Sequence, residues 1–235
     1  MKVVRILLLT LIACHSDRDM AHGREIQVCP ARAPNDATLV ETSPLTLPEL
    51  GRWMIDASGL PAHWLGEIFD GKKLREPINV VIIDRSAATV QDAVTGVIEA
   101  STGAGYPIRM GHATGYRALI AGELHHQLPK GWDDAFSNHL FETTNNHGRL
   151  FGPSLHRPFY VFVGAFSREA VSLFHWPEHR YASFNKARDE FAASMDRHTK
   201  FKASGYLDMG NALLNEPDVS TGDHDGRAVI LCAGT

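Results

Sequence analysis

The sequence predicts an α/β or α+β fold, a single domain built on a mixed sheet flanked by helices. Strand-like and helix-like patterns follow one another as strand, helix, strand, strand, helix, strand. Length and composition agree. A chain of 235 residues, 44% hydrophobic and 21% charged, can bury a proper core without disulfide staples and is neither collagen-like, coiled-coil nor disordered. Asp and Glu outnumber Lys and Arg by 27 to 23, a net charge of −4 that argues against a dedicated nucleic-acid binder.

Residues 1–13 read as a signal peptide. Lys2 and Arg5 accompany an apolar run over 6–13 that is too short to cross a bilayer permanently but matches the centre of an export signal. The run ends Leu11, Ile12, Ala13, Cys14, which resembles the lipobox of bacterial lipoproteins. The resemblance implies acylation of Cys14 and a lipid-anchored chain in the bacterial cell envelope. His15 follows the cysteine where an Asp would signal retention at the inner membrane, so the outer membrane is favoured. An ordinary signal peptide with an incidental cysteine is the alternative.

Residues 14–48, with prolines at 30, 34, 44 and 48, form a tether and irregular arm, and 49–235 form the globular domain. In an oxidising envelope Cys29 and Cys232 are expected to bond, tying the arm to the last strand; two separate thiols are the alternative.

Within the domain, 48–55 and 61–69 each open on proline and predict short helices, the first with Leu50, Trp53 and Met54 on one side, the second with Trp64, Leu65 and Phe69 inward. PINVVIID over 77–84 is a strand covered on both faces. Ser86 or Thr89 caps the next helix, whose buried stripe is Val90, Ala93, Val94, Val97 and Ile98 and which ends at Gly103 and Gly105. From 112 to 146 short apolar pieces lie among Gly, His and Asp, and no element is assigned. Residues 149–151 and FYVFVGAF over 159–166 are strands, and 170–174 folds back on the second as a hairpin with Ser167, Arg168 and Glu169 near the turn. Ser183 caps a helix that turns Phe184, Ala187, Phe191, Ala192 and Met195 to the core, and RAVILCA over 227–233 is the last strand.

The common signatures of chemistry are absent: there is no P-loop, GxSxG, HExxH or CxxC. Histidine is the unusual count, at 13. His147 and Arg149, two residues apart, share one face of a strand, and such a pair suits an anion: the guanidinium grips two oxygens while the imidazole donates or transfers a proton. A surface histidine beside a salt-bridged arginine at a sheet edge gives the same pattern. His175 and His179 are four apart, but Pro177 prevents the helix that a zinc pair uses, and with no third ligand identified neither metal nor cofactor is expected. Adjacent His125 and His126 diverge and read as surface residues. Arg188, one turn beyond Phe184, lies on or beside a buried face and needs an anionic partner, either a ligand or an acidic side chain; Asp189 follows it.

The motifs PINVVII at 77–83, GY at 105–106, NHGRLF at 146–151, VFVGA at 161–165, HRY at 179–181 and ARD at 187–189 occur in an order that resembles the LssY C-terminal domain of bacterial envelope proteins. The resemblance spans about 75–200 and implies work near lipids or their phosphates, because such domains are often joined to membrane proteins of the DedA or type-2 phosphatidic acid phosphatase kinds. It assigns no activity. Here Ala182, Ser183, Phe184 and Asn185 stand where acidic residues usually follow the His-Arg pair, and Tyr106 stands where Trp is commoner.

These readings gather His147, Arg149, His179, Arg188 and Asp189 into one polar cleft for a phosphate- or carboxylate-bearing ligand, a small anion or a lipid phosphate. The runner-up is a hydrolase with His147 or His179 as general base, with or without a metal, which requires a carboxylate orienting one of them inside a pocket. A structural or interaction lipoprotein is the third reading, marked by an exposed apolar patch.

Overall fold

A strand buried on both faces must carry apolar residues without alternation, and Val80–Asp84 does so: all five residues are buried at the centre of a ten-stranded sheet in the computed structural model. The structure describes residues 47–131, 134–171 and 179–234. In chain order the elements are β1 (His63–Phe69), β2 (Lys72–Arg75), β3 (Val80–Asp84), α1 (Val90–Gly103), β4 (Ile108–Met110), β5 (Arg117–Ile120), β6 (Glu123–Leu128), β7 (Asp134–Ser137), β8 (Asn145–His156), β9 (Phe159–Val171), β10 (His179–Ser183), α2 (Phe184–His198), β11 (Lys202–Asp208), β12 (Val219–Ser220) and β13 (Arg227–Ala233).

The main sheet runs β11-β13-β3-β9-β8-β6-β5, with β10 beside β9, β7 beside β8 and β4 beside β7; β1, β2 and β12 form a small second sheet. In the main sheet β3 and β13 are parallel and the other pairs antiparallel, so the sheet is mixed as expected. Strands make up 46% of this single domain, which places it on the α+β side.

Period two sends Val80 and Ile82 to one face of the sheet and Val81 and Ile83 to the other. The first face packs against Ala93 and Val97 of α1 and against Ala187, Phe191 and Met195 of α2. The second is covered by Met54, Ala62, Ala118 and Ile120. Both helices therefore share one face, and the other lies under the segment 47–62 and the β5–β6 hairpin. Phe191 anchors the helical side, stacked on Phe166 with ring centroids 4.0 Å apart and met edge-on by Tyr106 at 5.1 Å.

The two early helices are not present. Residues 48–55 cross the sheet as a chain of isolated bridges, Leu50 to Ile120, Trp53 to Pro77 and Ile55 to Arg117. So short a segment does not sustain a helix, and Gly51 allows close approach, since a Cβ there would sit 3.0 Å from that of Leu119. Within 61–69, His63–Phe69 is β1 instead. Asp70 and Gly71 take φ of 51° and 78° between Phe69 and its partner Lys72, a two-residue hairpin turn of the primed type. Ala121 and Gly122, at 54° and 77°, do the same between β5 and β6, inside the stretch with no assigned element.

Thr89, not Ser86, caps α1, in a capping box with Asp92. Ala93, Val97 and Ser101 are its buried residues, while Val90 on the first turn is 54% exposed. Ser183 caps α2, and Phe184, Ala187, Phe191, Ala192 and Met195 are buried. No hairpin turns at Ser167, Arg168 and Glu169: β9 runs on to Val171, because these residues pair with His147, Asn146 and Asn145 of β8. Along its length β9 changes neighbour on its other side, from β3 at Tyr160–Gly164 to β10 from Arg168 onward.

Cys232 is buried on β13, while Cys14, Cys29, His175 and the segment 1–13 lie outside the described residues. Among the described residues no helix is long and apolar enough to cross a membrane.

Candidate functional site

A cavity of about 120 Å³ opens on the face of β8 and β9 near the point where β9 changes neighbour. Strand alternation delivers its chemistry. His147 and Arg149 on β8 lie on one face, and Glu169 on β9 joins them from the adjacent strand. The loop after β4 adds His112, Ala113 and Tyr116, the turn before β8 adds Phe141, and Trp64 and Glu76 come from the β1–β3 region. Gly111 is required for this closure. Its φ is +97°, and a Cβ there would lie 2.8 Å from Cβ and Cγ of Phe141, whose ring meets His112 edge-on.

Glu169 is the hub. Its Oε1 lies 3.2 Å from His147 Nδ1, accepts from Asn145 Nδ2 at 3.1 Å, and stands 3.8 Å from His112 Nδ1; its Oε2 pairs with His179 Nδ1 at 3.0 Å. His179 is further fixed by stacking on Phe141, centroids 4.0 Å apart. The Ser167 hydroxyl lies 3.3 Å from His147 Nε2 and accepts from Trp64 Nε1 at 3.2 Å. Burial by itself raises a carboxyl, but the hydrogen bond and charge of His147 and the Asn145 amide outweigh it and hold Glu169 at about 2.

His112 stacks on His147 with centroids 4.4 Å apart, and only 4% of it is exposed. Burial, reinforced by His147, pushes its pKa down to about 3, so its imidazole is neutral at physiological pH. Its Nε2 has no hydrogen-bond partner among the described residues, and 3.8 Å from Nδ1 to Glu169 is too long for one. Glu76, also buried, has its pKa raised by burial, with Arg149 opposing. The Arg149 guanidinium donates from Nε and Nη2 to the Ala113 carbonyl and lies 4.7 Å from the Tyr116 ring, with no carboxylate of the described residues in ion-pair distance.

Of the residues expected in one cleft, His147 and His179 meet at Glu169, and Arg149 shares the cavity lining with His147 and Glu169. Arg188 and Asp189 do not join them. Arg188 found acidic partners within the fold: it donates to Asp225 Oδ1 and Oδ2 at 2.6 and 3.1 Å, to Asp189 at 2.7 Å and to the Arg227 carbonyl at 2.9 Å, and lies over Tyr206 at 4.8 Å. It clasps α2 to β11 and the start of β13. His125 and His126 lie on β6, half-buried and exposed, away from the cavity lining. Glu169, His112 and Glu76 were not among the expected site residues. Only Glu169 left a signal in the sequence, as the alternation of Ser167 and Glu169 continuing a strand.

Beside the Arg188 clasp, His224 is buried, with Nε2 2.7 Å from Asn211 Oδ1. Burial pushes its pKa down from 6.5 to about 4, against the nearby Asp225 and Asp223 and together with Arg188. A folded pKa below the unfolded one means that its contribution is complete above pH 6.5 and is lost as pH falls toward 4. Roughly 2 kcal/mol of stability should be gone by pH 5 from this group. Urea unfolding of the wild type and of His224→Gln at pH 7.5 and 5 checks this: the substitution should flatten the pH dependence by that amount, and equal slopes would exclude the role.

Comparison with protein-family models, with curated proteins and with solved structures finds no match to this chain.

Proposed function

We propose that this chain is a hydrolase of small phosphate- or carboxylate-bearing substrates, with its centre at His147, Glu169, Glu76 and Arg149. One observation carries the reading: a single cavity brings a buried guanidinium with no carboxylate in ion-pair distance among the described residues next to an imidazole oriented by a buried carboxylate. An anion completes Arg149 electrostatically. Glu76, with its pKa raised by burial, is the wall group suited to give or take a proton as the leaving group departs. The cavity has room for several waters or for the reacting end of a ligand. Catalysis is favoured over simple anion binding because Glu169 supplies the orienting carboxylate that catalysis requires, while Arg188, a second cation for binding, is consumed inside the fold.

The lipobox-like Cys14 and the resemblance to LssY C-terminal domains support an envelope lipoprotein acting near the bilayer, where lipid phosphates are among the available substrates.

The test is turnover of p-nitrophenyl phosphate and p-nitrophenyl hemisuccinate by the purified chain. At least one should be hydrolysed, with inorganic phosphate or succinate as a competitive inhibitor. Glu76→Gln should lower kcat about 10²- to 10⁴-fold. Arg149→Gln should raise KM about tenfold or more, the worth of one charged contact. Absence of turnover on both substrates, or turnover indifferent to both substitutions, rejects the reading.

A further inference from the structure

Three donor groups from three separate pieces of chain, His112 on the β4–β5 loop, His147 on β8 and Glu169 on β9, have their ligand atoms within 4.8 Å of one another. We propose that they bind one divalent first-row transition metal ion of the zinc kind. The binding stands on this geometry; its catalytic use rests on the hydrolase reading above.

The spacing is that of ligands sharing an ion. Ligands about 2.1 Å from a tetrahedral zinc lie about 3.4 Å from each other, and Glu169 Oε1 is 3.2 Å from His147 Nδ1 and 3.8 Å from His112 Nδ1. The second of these distances is the telling one. At 3.8 Å His112 Nδ1 faces Glu169 beyond hydrogen-bond distance, and Nε2 of the same buried ring has no partner among the described residues. A cation between Nδ1 of His112, Nδ1 of His147 and Oε1 of Glu169 gives the 3.8 Å approach of His112 to the carboxylate a chemical use.

The groups behind the ligands fit the same role. Asn145 and His179 hold the Glu169 carboxylate, and Ser167, itself held by Trp64, lies against the far nitrogen of His147. Asn145 Oδ1 at 3.1 Å and Glu169 Oε1 both face His147 Nδ1, a pair of acceptor oxygens that a cation satisfies as well as a proton does. Two imidazoles and one carboxylate form a borderline donor set that selects zinc or cobalt over magnesium or calcium. Three protein ligands leave a fourth position for water on the cavity side, the mark of a catalytic rather than a structural centre. With an ion bound, Nδ1 of His147 and Oε1 of Glu169 would be ligands in place of the hydrogen-bonded pair, the ion would lower the pKa of the water that serves as nucleophile, and the proton transfer of the hydrolase reading would rest with Glu76.

The experiment is titration of the full-length purified chain, stripped with a chelator, with Zn²⁺ and with Co²⁺ as a spectroscopic probe. One tight equivalent of Zn²⁺ is expected, competed by Co²⁺ and unaffected by Mg²⁺. His112→Gln and Glu169→Gln should each weaken it by more than the roughly 10- to 100-fold that outer-layer partners are worth, while exposed His126→Gln changes nothing. Should a variant fail to fold, the wild type decides: zinc must shift the imidazole ¹⁵N resonances of His112 and His147 and leave that of His126 in place. Absence of a tight equivalent, or binding that leaves those two resonances unmoved, overturns the site. The two readings separate cleanly: zinc bound without hydrolysis keeps the centre and removes the hydrolase, hydrolysis by the stripped chain keeps the hydrolase and removes the ion's catalytic use, and absence of a tight equivalent removes the centre whatever the turnover.

Discussion

Glu169→Gln is expected to slow hydrolysis severely and to weaken the fold in the same stroke. The carboxylate accepts from Asn145 Nδ2 and pairs with Nδ1 of His147 and of His179, and all three partners are anchored elsewhere. An amide of the same size keeps one acceptor and turns two N–H groups toward groups that already donate. Hydrogen bonds to a charged acceptor contribute about 1.5–3 kcal/mol each, so loss of two should cost about 3 kcal/mol or more. Loss of His147 orientation should remove about 10²- to 10⁴-fold of the rate. Guanidinium unfolding and single-substrate kinetics on the same preparation measure both; a variant within about 1 kcal/mol of wild type and comparably active would show that the carboxylate is not the hub.

Gly148→Ala should be strongly destabilising. Gly148 stands between His147 and Arg149, and a Cβ there would lie 2.4 Å from Cγ and Cδ1 of Phe166 and 2.7 Å from the Ala165 carbonyl oxygen. Phe166 cannot give way, since it is stacked on Phe191 and met edge-on by Tyr106, and the carbonyl is backbone. Overpacking of this kind costs about 3 kcal/mol, at the upper end of the usual range. The displacement should also reach the flanking His147 and Arg149, raising KM. Gly103→Ala is the matched control. It lies in the last turn of α1 with nothing within 4 Å of the added Cβ, where alanine is favoured by about 0.5–1 kcal/mol. Unfolding midpoints that move in the same direction for both would contradict the β8–β9 packing.

The parts of the fold that can be read without coordinates are those in which local pattern and tertiary burial ask for the same residues. Val80–Ile83 has no polar face, the 3–4 spacing of Phe184, Ala187, Phe191 and Met195 has no competing period, and both are found as expected. The misreadings are places where two periods overlap. Over 61–69 the apolar spacing fits a helix, yet Asp70 and Gly71 in left-handed conformation commit the segment to a hairpin. The site is legible in half. His147 and Arg149 share a face because period two is a local rule. His179 meets them only through Glu169, a contact made across strands by register, and His112 comes from a loop with no periodic pattern to place it, whose Gly111 permits the approach to Phe141 without specifying it. Arg188 illustrates the converse: a buried arginine needs an anion, but its sequence position does not say whether protein or ligand provides it.

The change of neighbour along β9 has a consequence for how this architecture can vary. One continuous strand leaves β3 and takes up β10, the hollow is lined by β8 and β9 near that change, and its remaining walls are furnished by separate pieces, the 111–116 loop, Phe141 and the β1–β3 region. Those pieces can be exchanged without touching the Phe162–Phe166–Phe191 packing on the helical side. A scaffold of this kind can be retuned to new substrates by rewriting its walls while the framework that aims the reactive groups is inherited intact.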